Sequence, residues 1–467
     1  MRKGFGKILQ NVTIDNAGAE GNCIVRDEGR VVFVRNVVPG DVCDIKIIGK
    51  KKKFLIGELI QLHSPGPSRI EPFCEHFGVC GGCKWQHMDY SSQLSLKQQH
   101  VIDSFQRIGK LDFPAVPSPL ADNGTTEYRN KMEYTFSPNK WLEKAEIESE
   151  EFIEKPGLGF HIPNRFDKIV HVNKCWLQDF TANNIRNWCY DYALEHEMSF
   201  YHPRKQVGLM RNVMLRNTRS GSWMVLLIFK ETDIRITPML TALSAAFPEI
   251  TSMLYSINGK VNDSIYDLNI EKHAGDDYLV ETLNGLDFAI RPKSFFQTNP
   301  NQAEVLYKTA LEFAGLTGSE NVYDLYCGTG TISLFLAQNA KKVVGIESVP
   351  QAIEDANDNA VRNKIDNCEF IVGDMKHVFN DDFVRKFGAP DVIITDPPRA
   401  GMHQDVVNQI CKLGPEKVVY VSCNPASQAR DLDWMREFYT IAKIQPVDMF
   451  PHTHHVENVV LLERIKN

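Results

Sequence analysis

Two hydrophobic rhythms divide the chain. Up to about residue 62 apolar residues come in short alternating runs such as CIVRDEGRVVFVRNV and DVCDIKIIG, with GKKKKFLIGELIQL as a further strand-like piece. Period-two runs at this spacing, broken by Gly and Asn/Asp, predict a small β-barrel. PGPSR at 65–69 reads as a linker. From about residue 293 the rhythm changes. NQAEVLYKTALEFAGL has helical spacing and ends near Gly315, NVYDLY is a strand, CGTGT a tight loop, ISLFLAQNA a helix and KKVVGIES a second strand. PQAIEDANDNAVRN is the next helix, with Pro350 suited to its first turn. EFIVGDM, DVIITDPP and KVVYVSC continue the alternation, which predicts an α/β doubly wound parallel sheet. The closing runs IAKIQPVDMF and ENVVLLER predict an antiparallel pair at one edge. Between the two rhythms, about 70–290 is mixed α+β: a helix at 91–109 and strands in YRNKMEYTF and WMVLLIFK are legible, its topology is not.

A chain of 467 residues, 43% hydrophobic and 24% charged, has the make-up of a soluble protein of several domains. It contains no run of 18 apolar residues, and MRKGFGKILQ lacks the apolar core of a signal peptide, so no membrane partner and a cytoplasmic location are expected. The net charge of −7 argues against a nucleic-acid partner, but the first 70 residues hold 12 Lys/Arg against 7 Asp/Glu. KIIGKKKKF at 46–54 clusters five of those lysines, a pattern that alone reads as a solvated turn. The acidic stretch at 142–155 reads as a surface insertion. Eleven cysteines in a cytoplasmic chain point to metal or catalysis rather than disulfides.

In doubly wound sheets ligands lie beyond the carboxyl ends of the strands. Asp324, Tyr326 and CGTGT stand there after the first strand, Glu347 after the second, Asp374 after the third and Asp396 after the fourth. The loop is neither a dinucleotide fingerprint nor a P-loop. A nucleoside without pyrophosphate fits better, and S-adenosylmethionine is the expected ligand, with Glu347 accepting from ribose hydroxyls. DPPR at 396–399 is reminiscent of amine methylation, but Arg399 stands where an aromatic residue would stack on the base. Cys423, just past a strand, offers different chemistry. Carbon 5 of uracil becomes nucleophilic only after a thiolate adds to carbon 6, and a base must then take the carbon 5 proton. Glu457 in PHTHHVENVV is the candidate base, and the neighbouring histidines are read as a loop lining the site.

SFFQTN (294–299), DLYCGTGTISLFLA (324–337), DPPRAG (396–401), SCNP (422–425) and HHVENVVLLER (454–464) resemble, in order, the motifs of the RNA (uracil-C5)-methyltransferase family. The resemblance implies a class I, Rossmann-like S-adenosylmethionine-dependent methyltransferase domain with Cys423 as nucleophile and Glu457 as base. It also implies Gln297, Tyr326, Glu347 and Asp396 as cofactor contacts and Phe295 as the ring stacked on the target base.

CEHFGVCGGCKWQ places Cys74, Cys80 and Cys83 at Cys-x5-Cys-x2-Cys, with Cys175 a candidate fourth ligand. Four thiolates suit either zinc or a [4Fe–4S] cluster. The pattern is similar to that of the 23S rRNA branch of the family, which implies the cluster, and differs from the Cys-x3-Cys-x2-Cys of radical enzymes. In that branch the barrel is an OB-like TRAM domain that binds RNA, which implies phosphate contacts for the lysine cluster and adds Arg129 and Lys131 to the RNA surface. The expected organisation is a TRAM-like barrel at 1–63, a central iron–sulfur and RNA-binding domain at 70–92 and 120–290, and a catalytic domain at 93–119 and 291–467. The expected reaction is methylation of carbon 5 of a uridine in 23S rRNA. Alternatives are a tRNA uridine target and a non-catalytic RNA-binding factor on the same scaffold.

Overall fold

The computed structural model describes residues 6–122, 124–142, 155–163, 165 and 167–466. Nearly all of the acidic 142–155 stretch lies outside these residues. The chain forms two compact units, one of Met1–Gln99 with Phe450–His455, the other of His100–Met449 with Val456–Asn467.

The first unit holds β1 (Ile8–Thr13), β2 (Asn16–Ala17), β3 (Cys23–Asp27), β4 (Arg30–Arg35), β5 (Val42–Lys50) and β6 (Phe54–Ser64) in the order β1-β5-β6-β4-β3-β2. Only β4 and β6 run parallel. Their alternate residues, among them Val32, Val34, Cys43, Ile45 and Ile47, form a common core. The pairing of β5 with β6 shifts register at three points, and such bulges bend a strand. Gly57 permits the closest approach: a Cβ there would lie 2.5 Å from a methyl of Ile45. Lys51–Lys53 occupy the exposed turn between β5 and β6. PGPSR is no loose linker. Arg69 donates from Nη2 to the buried Asp41 at 2.6 Å, and the amides of Gly66 and Val38 donate to the same carboxylate at 2.8 Å each. Burial raises the Asp41 pKa, but these bonds and the Arg69 charge outweigh it and hold the carboxyl below its ordinary range.

The second unit contains two seven-stranded sheets. One has β7 (Lys131–Ser137), β8 (Gly157–His161), β9 (Ile169–His171), β10 (Met210–Asn217), β11 (Trp223–Phe229), β12 (Ile250–Ile257) and β13 (Glu271–Gly275) in the order β13-β12-β11-β10-β7-β8-β9. It is antiparallel except where β11 meets β12. A hairpin of β14 (Leu279–Leu283) and β15 (Leu286–Ile290) follows.

The other sheet has β16 (Asn321–Leu325), β17 (Lys342–Glu347), β18 (Cys368–Val372), β19 (Val392–Thr395), β20 (Lys417–Ser422), β21 (Tyr439–Val447) and β22 (Glu457–Arg464) in the order β18-β17-β16-β19-β20-β22-β21. The five strands from β18 to β20 are parallel, whereas β22 is antiparallel to both neighbours. The expected antiparallel pair is therefore present, with β22 on the inside. Strands β16, β19 and β20 read as unbroken apolar runs because helices cover both faces. Helix Pro300–Ala314 starts with Pro300 behind an Asn299 cap and ends at Gly315, whose φ of 56° stops it. Among the described residues no helix is long and apolar enough to cross a membrane.

Candidate active site

The parallel strands of the second sheet all end at one edge, and the chemistry collects there. Past β16, Tyr326 adopts a φ of 68°, a left-handed conformation unusual for a bulky residue. It is held by the Ile346 carbonyl, which accepts from the amides of Tyr326 and Cys327 at 3.0 Å each. The loop then turns through Gly328, where a Cβ would meet nothing within 4 Å. That amide donates to Glu347 Oε2 at 3.3 Å, while Glu347 Oε1 accepts from the amides of Ser348 at 2.6 Å and Val349 at 3.0 Å. A fixed carboxylate beside open backbone suits a ribose diol. Asp374, read as another strand-end acid, is instead the cap of the turn Met375–Val378, accepting from the Lys376 amide at 2.9 Å.

Three carboxyl groups at this edge lack a cation bound to them. Asp324 is buried; Ser333 Oγ donates to its Oδ2 at 2.5 Å, and its Oδ1 has no partner. Burial pushes its pKa up to about 7, and burial together with Asp324 does the same to Asp396. Glu457, the first residue of β22 and only 4% exposed, rises to about 8 through burial and then the Asp396 charge, with Arg399 opposing. Cys423 follows β20 directly, and its thiol is pushed up to about 11 by burial, Glu457 and Asp396, again opposed by Arg399. Thiol, base and Asp396 thus act on one another, as the sequence reading requires. Asn424 Nδ2 and Ser427 Oγ donate to the Arg399 carbonyl at 2.9 and 3.1 Å, which ties the SCNP turn to the DPPR turn.

The SFFQTN segment has a divided pair of rings. Phe296 is 4% exposed and Phe295 is 72% exposed. Its backbone is pinned by the Asn130 amide, which donates to the Thr298 carbonyl at 2.8 Å, and by Asn299 Nδ2, which donates to the Met449 carbonyl at 3.0 Å. Gln297 is buried within this segment. One participant escaped the sequence reading. Tyr307, on the core face of helix Pro300–Ala314, hydrogen-bonds Thr331 and faces Asp396, Glu457 and Asp324; burial and those acids push its pKa up. Its helical spacing with Ala303, Leu306 and Ala310 made it look like one more core ring.

The cysteine expectation fares differently. Cys74, Cys80 and Cys83 lie in an irregular loop of the first unit whose turns use Gly78 and Gly81 at positive φ, and Cys175 lies in the second unit between β9 and helix Phe180–Glu195. Among the described residues no group of three or more His, Cys, Asp or Glu is arranged to hold a metal ion. The sequence-derived ligand set is therefore not assembled here, and no chemical step below depends on it. Residues 450–455, with His452, His454 and His455, belong to the first unit, where the His452 carbonyl accepts from the amides of Lys84 and Trp85 at 2.9 and 3.1 Å.

Comparison with known proteins agrees with this geometry. Residues 269–465 match the tRNA (Uracil-5-)-methyltransferase family model and residues 9–60 the TRAM domain. An RNA methyltransferase of Bacteroides thetaiotaomicron is 51% identical over 95% of this chain and 99% of its own, and one of Porphyromonas gingivalis is 47% identical over 97% and 99%. The crystal structure of Pyrococcus abyssi tRNA (uracil-54, C5)-methyltransferase with S-adenosyl-L-homocysteine superposes with a TM-score of 0.74 at 27% identity, covering 97% of this chain and 100% of that one. The open glycine turn, the unpartnered Asp324 oxygen and the fixed Glu347 fit the same cofactor. With an N-terminal TRAM domain and a Rossmann-like catalytic sheet, the chain belongs to the S-adenosylmethionine-dependent RNA (uracil-5-)-methyltransferase family.

Proposed function

We propose that the protein methylates carbon 5 of a uridine in 23S rRNA through a covalent Cys423 adduct. The observation that carries the mechanism is the mutual influence of Cys423, Glu457 and Asp396 at one strand edge. Cys423 Sγ adds to carbon 6 of the uracil, and the electron pair moves onto the ring as an enolate, which makes carbon 5 a nucleophile. S-adenosylmethionine supplies the methyl group to carbon 5, and its sulfonium charge is of the sign that the surrounding carboxyl groups lack. Glu457 then removes the carbon 5 proton, the ring regains its double bond, and the carbon 6–Sγ bond breaks to restore the Cys423 thiolate. Phe295 stacks on the uracil, which is flipped from its helix because carbons 5 and 6 are shielded in a stack. Gln297, Tyr326, Glu347 and Asp396 hold the cofactor.

The 23S target rests on the TRAM domain together with the cysteine loop. A tRNA target is the second reading, favoured by the superposition on the Pyrococcus abyssi enzyme over both full chains. A TRAM-containing architecture therefore does not separate the two substrates. Labelled S-adenosylmethionine and unmodified total RNA, with the product nucleoside located by mass spectrometry, test the reading. A 5-methyluridine in 23S rRNA supports it; the same nucleoside in tRNA keeps the mechanism and replaces the substrate. A [4Fe–4S] cluster on Cys74, Cys80, Cys83 and Cys175 is proposed from the sequence alone. Iron and sulfide content of anaerobically purified protein decides between cluster, zinc and neither.

A further inference from the structure

Beside the SFFQTN segment the antiparallel sheet buries a positive charge whose bonds go only to neutral groups. Arg216 is 1% exposed. Its Nη1 donates to the carbonyls of Arg291 at 3.2 Å and Ser294 at 3.3 Å, its Nη2 donates to Ser294 at 3.3 Å, and its Nε meets no acceptor. Burial alone pushes its pKa down to about 10 against the weak pull of Glu133 and Tyr266. Directly opposite, across the β7/β10 pairing, stands Lys131. Like charges facing each other on an antiparallel pair repel. Lys131 Nζ pairs with Glu133 Oε1 at 2.7 Å, but that carboxylate is largely exposed, and burial and Arg216 still push the lysine pKa down. The sheet tolerates two adjacent cations where packing alone would place none.

Two aromatic rings flank them. Phe295 follows Ser294, the residue Arg216 holds, and Tyr266 is 75% exposed with its phenol close enough to the Arg216 guanidinium to act on it electrostatically. Exposed rings on either side of an unneutralised cation match the needs of a single nucleic-acid strand, whose bases stack while its phosphate seeks positive charge. We propose that Lys131, with the Arg216 charge behind it, holds the phosphodiester next to the target uridine and that Tyr266 stacks on the base of the adjoining nucleotide. This rests on RNA being the substrate. Arg216 is then a positioning residue: it anchors Ser294, and through it Phe295, while raising the potential at the phosphate.

The test measures binding and KM for an RNA that the wild-type protein methylates, across a series of salt concentrations. Lys131→Gln is expected to weaken binding about ten-fold and to lower the slope of log Kd against log salt by about 0.7, the share of one single-strand phosphate contact. Lys131→Arg is expected to restore that slope. Tyr266→Ala is expected to raise KM about ten-fold with the slope unchanged, because stacking releases no counterions. S-adenosylmethionine affinity stays at the wild-type value in all three. A wild-type slope in Lys131→Gln, or wild-type binding in Tyr266→Ala, overturns the inference. Wild-type protein that methylates no RNA overturns instead the functional reading on which it rests.

Discussion

The two large sheets of the second unit bury opposite charges. At the edge of the parallel sheet, Asp324, Asp396 and Glu457 are carboxyl groups whose pKa values burial lifts to about 7, 7 and 8. Inside the antiparallel sheet, Arg186, Arg211 and Arg216 are among the largest fully buried side chains. The arginines are met largely by backbone carbonyls: Arg211 Nη1 donates to those of Asn258 and Lys260 at 2.6 Å each, and Arg186 Nη2 to that of Asn173 at 2.5 Å. A guanidinium has five donors in a plane and can be satisfied by carbonyls without a counterion, whereas an isolated carboxyl escapes the cost of burial by taking a proton. One sheet thus keeps its charge permanently and the other holds it in reserve. That suits a polyanionic substrate on one side and a cationic cofactor with proton transfer on the other.

The sharpest way to break this contrast is at the acidic edge. Cys423→Ala is expected to reduce methyl transfer by at least about 10³-fold while S-adenosylmethionine binding persists, measured by labelled-methyl incorporation and calorimetry. Glu457→Gln is expected to slow turnover by about 10²–10⁴-fold and to trap a protein–RNA adduct that survives denaturing electrophoresis. A variant that turns over slowly yet leaves no adduct would move the base elsewhere. In the wild-type protein, kcat/KM is expected to climb with pH through about 8 as Glu457 loses its proton. Glu347→Ala is expected to weaken cofactor binding about ten-fold, since it removes a carboxylate accepting charge-assisted bonds.

The smallest effect concerns stability. The Asp324 carboxyl rises from 3.8 to about 7 on folding, so the folded state binds the extra proton. Its contribution is full below the unfolded value and is lost as pH climbs through about 7. Asp324→Asn is expected to be neutral in acid, to gain on the order of 2 kcal/mol at pH 8, and to flatten the dependence of Tm on pH. Equal slopes in variant and wild type would mean that Asp324 already stays ionised.

Several elements were legible from pattern for identifiable reasons. The Pro300 and Pro350 helix starts, the Gly315 stop and the apolar runs of β16, β19 and β20 are local signals that tertiary contacts had no cause to override. Asp374 misled because a strand-end acid and a helix cap look alike in sequence; only the bond to the Lys376 amide separates them. PGPSR looked like a linker because Pro and Gly mark any non-repetitive backbone, whether loose or tied down as Arg69 is to Asp41. Tyr307 vanished into a helical stripe because a phenol at a core position has the same spacing whether it faces leucine or three acids.

The sequence by itself determined the α/β class of the C-terminal half, the strand-rich N-terminal module, and the identity of the thiol and carboxyl groups, since these follow from periodicity and from motif order along the chain. Tertiary structure alone decided what those groups are worth chemically. Burial beside like charges lifts Glu457 and Cys423, and pairing in register sets Lys131 against Arg216. Charge interactions depend on distance and dielectric, and neither is written in the spacing of residues along a chain.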